Sequence, residues 1–468
     1  MALGIAPLAL LAVAPPVSAQ GGAFFERGDV ADDDARHRVG VEVKAHYRDS
    51  DAARFPVNFP FSRDQLPPGV EQGALETVEP GDHTEFSVVS LWWRGRFGTD
   101  DGSLRQIATK VKLDLIDRYD RNPTSTDNEW DLDEAWIRFG PELEPGDPLP
   151  ESTLREGGAS GYLKLGKFAK FDRQNDRHLE SYGIVGTAFS RAEDVGLEAG
   201  LDLGRHLYVV ASVTAGNPVF LRDLNALAGD HGTPVLDGSV LNPVPELGPG
   251  IPILYDADVE LDDLDFSNPE FGVGIGGRFG GFNWSVDGLI WYTERELAET
   301  VELEGSFYGG DLDILRGPLN LFPLAITSDT KSEFGANLWL YLGDLAVFGQ
   351  FVDQDLAGLS RDGWEIEVAY TLELPYLGAL FGRPVLPYLA PAIRYSTLDP
   401  DFAPPPVTPS PSFAWDWDKL DIGLRAGLIE DLLDLTVEYA DNEFVRGGRT
   451  ESADELLATL RVQWDRGF

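Results

Sequence analysis

RHRVGVEVKAHYR, residues 36–48, sets Val39, Val41, Val43, Ala45 and Tyr47 on one side of an extended chain and Arg38, Glu42, Lys44, His46 and Arg48 on the other. Successive side chains of a strand point to opposite faces, so the stretch reads as a strand with one apolar and one charged face. The pattern returns along the chain. Residues 104–119 set Ile107, Val111, Leu113 and Leu115 against Gln106, Lys110, Lys112 and Asp114, and residues 193–203 set Val195, Leu197, Ala199, Leu201 and Leu203 against Glu198 and Asp202. Leu420, Ile422, Leu424, Ala426 and Leu428 oppose Lys419, Asp421 and Arg425; Leu433, Leu435, Val437 and Tyr439 oppose Asp434, Thr436 and Glu438. A soluble sandwich also alternates, but its strands run ~5–6 residues, whereas a tilted strand needs ~9–11 to cross a bilayer. These segments are of the longer kind.

The same reading predicts about sixteen strands (14 to 18), near 37–48, 85–97, 104–119, 128–140, 160–171, 193–203, 206–216, 269–279, 282–295, 331–342, 345–355, 362–373, 384–398, 416–428, 432–442 and 454–468. Connections from even to odd strands are mostly tight: Gly98 to Ser103, Gly204-Arg205, Gly280-Gly281, Gly343-Asp344 and Ile429 to Asp431. Several connections from odd to even strands are long, at 49–84, 172–192, 217–268 and 296–330. Short turns on one rim and long loops on the other are the plan of a transmembrane antiparallel β-barrel with periplasmic turns and extracellular loops. The expected fold class is therefore all-β, and the stretches at 141–159 and 374–383 are exceptions on the periplasmic side.

Composition agrees. The 37 basic residues against 79 acidic ones give a formal net charge of −42, which argues against nucleic acid as a partner, since phosphate backbones need a basic surface. The absence of cysteine excludes disulfide scaffolds and thiolate metal sites and suits an exported protein. Residues 1–19 form an apolar run ending in Val17-Ser18-Ala19, a small-x-small cleavage pattern; they are expected to be a signal peptide, followed by an N-terminal periplasmic segment at 20–35 and a single barrel at 36–468. Beyond residue 20 no stretch of ~18 apolar residues lacks breakers. The nearest, 374–393, contains Pro375, Pro384, Pro387, Pro391 and Arg383.

The final stretch ELLATLRVQWDRGF (455–468) alternates with Leu456, Ala458, Leu460, Val462, Trp464 and Phe468 on one face. It resembles the closing strand of bacterial porins. That resemblance implies an assembly signal in Trp464 and Phe468 for the barrel assembly machinery, contact with outer-membrane lipid and lipopolysaccharide, and homotrimers. LDEAWIRFG (132–140), GYLKLGKFAKF (161–171), GWEIEVAYTL (363–372) and AIRYSTLD (392–399) are similar to the phosphate-selective porin O and P family, which implies a passive anion pore in the outer membrane of a Gram-negative bacterium.

Motifs for other chemistry fail on context. GYLKLGKF (161–168) fits Gly-x-x-x-x-Gly-Lys but lacks the hydroxyl residue that carries the metal, and it alternates as a strand. Gly272, Gly274 and Gly277 run into another strand and are expected to line the lumen, with Phe271, Val273 and Ile275 facing lipid. The six histidines form no His-Glu-x-x-His motif, and no Gly-x-Ser-x-Gly elbow is present. The acidic tract from Tyr255 to Glu270 lacks the turn glycine of a calcium loop and reads as solvated loop within the long acidic connection 217–268. No enzymatic activity, cofactor or metal is expected; the alternatives are an outer-membrane barrel enzyme or a non-conducting structural or adhesive barrel.

The expected function is a channel for passive diffusion of small polar or anionic solutes. Its expected pore-lining residues are Lys110, Lys112, Lys164, Arg173, Arg177, Arg191, Arg394, Arg425 and Arg461. The basic residues of the expected strands 16, 1, 3 and 5, namely Arg461, Arg38, Lys44, Lys110, Lys112 and Lys164, are expected to form one wall opposite acids such as Glu198, Asp202, Glu365, Glu367, Asp434 and Glu438, giving a transverse field. Residues 172–192, which carry Arg173, Arg177 and Arg191, are the expected constriction loop.

Overall fold

A computed structural model describes residues 36–50, 54–57, 73–76, 81–98, 103–116, 130–141, 160–174, 177–181, 183–189, 193–216, 266–281, 283–298, 312, 315, 324–402, 416–446 and 449–468. The signal peptide and periplasmic segment expected at 1–35, Arg191 and residues 217–265 lie outside this set.

Sixteen long strands form one antiparallel sheet. They are β1 (His37–Ser50), β2 (Gly81–Gly98), β3 (Gln106–Ile116), β4 (Trp130–Phe139), β5 (Ser160–Ala169), β6 (Glu193–Leu203), β7 (Leu207–Thr214) and β8 (Glu270–Gly281). The second half comprises β9 (Trp284–Glu296), β10 (Thr330–Leu342), β11 (Leu345–Leu356), β12 (Leu359–Tyr370), β13 (Tyr388–Pro400), β14 (Asp416–Ile429), β15 (Leu433–Arg446) and β16 (Arg449–Gly467). Each strand pairs with the next, and β1 pairs with β16 from Arg38 opposite Gly467 to Ser50 opposite Glu455, so the sheet closes without a free edge. Phe468 completes the seam: its N–H donates to the His37 carbonyl at 2.9 Å and the His37 N–H returns to its carbonyl at 3.1 Å.

An even strand count puts both ends of the sheet on one rim, where turns at 204–206, 343–344 and 430–432 are short. Gly204 and Gly343 take positive φ values of 82° and 57° there, which glycine reaches without a Cβ clash. Several expected boundaries move, three of them at turns. Gly280-Gly281 ends β8 instead of turning. The expected loop at 356–361 is a two-residue hairpin, Ala357-Gly358, with φ of 57° and 87° at its two residues, the geometry that matches strand twist. β13 starts at Tyr388 rather than at 384, because Pro384 and Pro387 have no N–H for the ladder.

The outward stripe is apolar all the way round: Leu91, Val111, Leu197, Ile275, Ile290, Leu338, Ile366, Ile393, Ile422, Val437 and Leu460 are exposed. Val195 departs from it, buried against Ala215. A closed barrel satisfies every ladder hydrogen bond internally, as hydrocarbon requires, and such a belt around a charged interior is the outer-membrane solution. The chain is an outer-membrane β-barrel. At the rim that carries the ends of the sheet, His37 lies within 6.0 Å of the Trp93, Phe97 and Phe468 rings, an aromatic cluster at headgroup level.

Candidate functional site

The chain between β5 and β6 leaves the wall and crosses the lumen. Its first turn is held by β10 and β11: Asn337 and Gln350 donate their amide N–H groups to the Asp172 carbonyl at 2.7 and 2.8 Å. Its middle is held by carboxylates of the far wall. The His178 N–H donates to Glu367 Oε1 at 2.9 Å, the Ser181 N–H to Glu438 Oε2 at 3.1 Å and the Glu180 N–H to Glu438 Oε1. The short helix α1 (Ile184–Ala188) then starts with the Ile184 N–H on Ser396 Oγ at 3.2 Å, and the chain leaves past Arg361, which donates to the Ala188 carbonyl at 2.6 Å. Backbone N–H groups that no helix or sheet satisfies find acceptors on strands β12, β13 and β15, so the crossing leaves few polar groups bare.

Apolar contacts fix it further. Phe171, Ile184, Val185 and Phe189 of the loop pack with Tyr208, Val210, Leu289, Trp291, Trp339, Phe348, Val352, Leu398 and Trp417, all inward-facing on the wall. Between these side chains the wall is pitted by glycines. A Cβ at Gly272 or Gly274 would stand 3.1 or 3.2 Å from the Phe171 ring, and one at Gly363 would stand 2.8 Å from the Phe189 ring, while Leu179 occupies the space at Gly423. Four inward glycines are thus the recesses that receive three loop side chains. Sequence reading assigned Gly272, Gly274 and Gly277 to the lumen; the structure shows what fills it at the first two, whereas Gly277 shares the outward face with Ile275 and Phe279 because it stands an odd number of residues from Gly272 and Gly274.

The loop's charged tip joins both sides of the barrel. Glu180 accepts from Lys44 Nζ at 3.1 Å and lies 3.5 Å from an Arg425 nitrogen. Burial alone would raise its carboxyl, but the charges of Lys44, Arg425 and Arg461 outweigh that effect and hold it down at about 2. Arg394 is saturated: it reaches Asp421 at 2.9 and 3.0 Å, Ser181 Oγ at 2.8 Å and Glu367 at 3.4 Å.

The expected pore-lining residues therefore separate into two groups. Arg394 and Arg425 do not line open lumen, being sealed with side chains 0% and 1% exposed beneath the loop. Arg461 is buried against Glu42, and Lys164 is buried with its ammonium over the Trp136 and Phe168 rings. Lys110, Lys112 and Arg173 keep contact with solvent, at 15%, 27% and 26% side-chain exposure; Arg177 is half-buried. Lys110 pairs with Glu134 at 2.7 Å, Lys112 with Asp133 at 2.8 Å and Asp114 at 3.0 Å, and Arg173 with Glu193. Asp133 reaches Lys112 because a bulge leaves it unpaired, Lys112 facing Glu134 and Leu113 facing Leu132; bulges re-aim side chains in this way. The expected segregation of basic and acidic walls does not hold, since acids and bases alternate as neighbours. Opposite charges on adjacent strands lower each other's energy, whereas unmixed walls would leave many buried charges uncompensated.

No protein-family model matches the sequence, and no curated protein matches it. Among solved structures the chain is similar to the outer membrane channel DcaP of Acinetobacter baumannii, at 9% identity over 92% of this chain and 97% of that one, with a TM-score of 0.48. Pseudomonas putida OprB follows at 10% identity, 92% and 94% coverage and a TM-score of 0.48. Salmonella typhi OmpF, in its complex with daunomycin, matches at 8% identity, 92% and 98% coverage and a TM-score of 0.44.

Proposed function

We propose that the barrel is a porin-like channel through which small polar solutes, anions among them, diffuse passively. The observation that carries this reading is the uneven wetting of the interior. Inward-facing charges remain in contact with solvent along β1, β3 and β4 and at the loop root, at Lys44, Lys110, Lys112, Asp133 and Arg173, while those beneath the loop are sealed. A lane lined by ammonium, guanidinium and carboxylate groups suits hydrated polar solutes and excludes apolar ones. Local charge should govern selectivity there, because charges more than a Debye length of ~8 Å away are screened in physiological salt. The four stretches similar to the phosphate-selective porin O and P family lie in or run on from β4, β5, β12 and β13, three of them touching the loop, and support the anion part of the reading. On this reading the barrel conducts and does not catalyse.

Single-channel recording of the refolded full chain in planar bilayers tests it. We expect discrete conductance steps in wild type, and reversal potentials in a salt gradient that move toward cations by about twofold in permeability ratio when Lys112→Gln and Arg173→Ser are combined, since Asp133 and Glu193 lose their partners. Absence of conductance would sink the channel; unchanged selectivity would sink the lane.

A further inference from the structure

The connection from β12 to β13 departs from the short turns of its rim. Residues 374–387, LPYLGALFGRPVLP, contain one charged residue, Arg383, in a chain that is 25% charged. Ala379–Leu380 pairs with Arg383–Pro384 as a small hairpin, turned through Phe381 and Gly382 at φ of 55° and 83°. It is tied down as a built element. The Leu374 N–H donates to the Pro387 carbonyl at 2.7 Å, the Val385 N–H to Gly378 at 3.0 Å, the Leu386 N–H to Leu428 at 3.1 Å and the Glu430 N–H to Pro384 at 3.0 Å. The Arg383 guanidinium donates to the carbonyls of Glu430 and Asp431 at 2.9 and 3.0 Å. Five of these six bonds hold the hairpin's own base or fasten it to the turn between β14 and β15.

What this clamped hairpin presents is apolar. Tyr376, Leu377, Leu380 and Phe381 are 73%, 66%, 47% and 81% exposed, and no described residue covers them. A rigid element that holds out four large aliphatic or aromatic side chains in water forgoes roughly 25 cal/mol for each Å² left uncovered. The patch is continuous with lipid-facing surface: Leu372 and Tyr370, both exposed, lead from it into the outward stripe of β12 at Ile366 and Trp364. The segment itself carries no Asp or Glu, in a chain where acids outnumber bases two to one; the acids beside it include Glu373 and Asp431, the latter 3.6 Å from Arg383.

We propose that residues 374–387 are a membrane anchor that seats Leu377, Leu380 and Phe381 in the interfacial layer of the periplasmic leaflet, with Tyr376 and Arg383 at the level of the phosphates. Aromatic and cationic residues beside apolar ones are the composition that lies stably at that depth. The anchor extends the barrel's grip on lipid beyond its strands, so it fixes the height and tilt of the β12–β14 side.

The absence of cysteine makes the test clean. A nitroxide is attached to Phe381→Cys in the full chain, refolded into vesicles of phosphatidylethanolamine and phosphatidylglycerol, and its collisions with oxygen and with a water-soluble nickel complex are compared. Ile366→Cys on the outward stripe is the lipid reference, and Arg205→Cys, in an exposed turn on the same rim, is the water reference. The expected oxygen-to-nickel ratio at 381 lies near the lipid reference and several-fold above the water reference. A ratio equal to that of Arg205→Cys overturns the anchor, placing the hairpin in the periplasm. Suppression of both collisions together with dipolar broadening overturns it in favour of contact between two copies of the chain. Leu377→Cys gives the same reading should Phe381→Cys refold poorly.

Discussion

The two sides of the lumen use one alternation to opposite ends. Along β8 to β14 the inward positions hold Leu289, Trp291, Trp339, Phe348 and Trp417, with glycines that admit Phe171, Phe189 and Leu179. Along β16, β1, β3 and β4 they hold Arg461, Glu42, Lys44, Lys110, Lys112, Asp133 and Glu134. The first side is dry, its apolar side chains interleaved with sealed ion pairs such as Arg394 with Asp421; the second keeps part of its charge, at Lys44, Lys110 and Lys112, in contact with water. The difference shows why a loop can cross a water-filled barrel at all. Partly exposed ion pairs contribute ~0–1 kcal/mol each, too little to order a segment of this length. Apolar side chains seated in recesses supply the remainder, and the charged tip at Glu180 then registers the loop against the wet side.

Three experiments would break or sharpen that contrast. Trp291→Ala should cost the most, about 3–5 kcal/mol, because it empties a fully buried aromatic position and removes one of the two donors, Trp291 and Gln350, that the Asn337 side-chain oxygen accepts from at 3.0 Å. Urea unfolding of the refolded barrel reads it, and a loss below ~1 kcal/mol would mean the dry side is no core. The second concerns the hinge between the sides. Glu180 titrates at about 2 in the folded barrel against an ordinary 4.5, so its contribution is complete above pH 4.5 and disappears as pH falls toward 2. Wild type should exceed Glu180→Gln by a few kcal/mol at most at pH 6, of order one pKa unit per ~1.4 kcal/mol, and the two should converge near pH 2. A gap that stays constant with pH would show that the charge of Glu180 is not what holds the tip. The smallest effect belongs to the wet side: Lys112→Gln should change stability by under ~1 kcal/mol, measured in the same unfolding assay, and a larger loss would show that this wall is packed as tightly as the other.

The strand number and the facing of most side chains were legible because a period of two survives any tertiary context that keeps one face in lipid. Charged residues were assigned correctly to the interior wherever the alternation was clean, as at Lys110, Lys112 and Arg425. Which of them touch water was not legible, since that depends on where residues 171–189 land, and Gly272, Gly363 and Gly423 lie 100 to 250 positions from the side chains they receive. A signal for the dry side was nevertheless present. Leu289-Ile290-Trp291, Leu338-Trp339-Leu340-Tyr341 and Ala346-Val347-Phe348 are apolar on both faces, and a strand without a polar face is buried on both sides. Taken with the loop aromatics Phe171 and Phe189, these runs foreshadow a core inside the barrel. The outward apolar hairpin at 374–387 was visible only as an apolar window broken by prolines, and its clamping by backbone bonds to residues 428–431 could not be read from order along the chain.

Fifteen of the sixteen strand junctions join neighbours in sequence, some through tight turns and others through connections of some thirty to fifty-five residues. The seam between β1 and β16 is of another kind, bringing Arg38 against Gly467. Closing a span of that length carries an entropic cost of about 5 kcal/mol in a flexible chain, and contacts so distant form late and slowly. Until they form, the sheet has two unpaired edges, each more than twelve residues long and each able to template another strand. Folding of this chain is therefore a race between one long-range meeting and many wrong short-range ones.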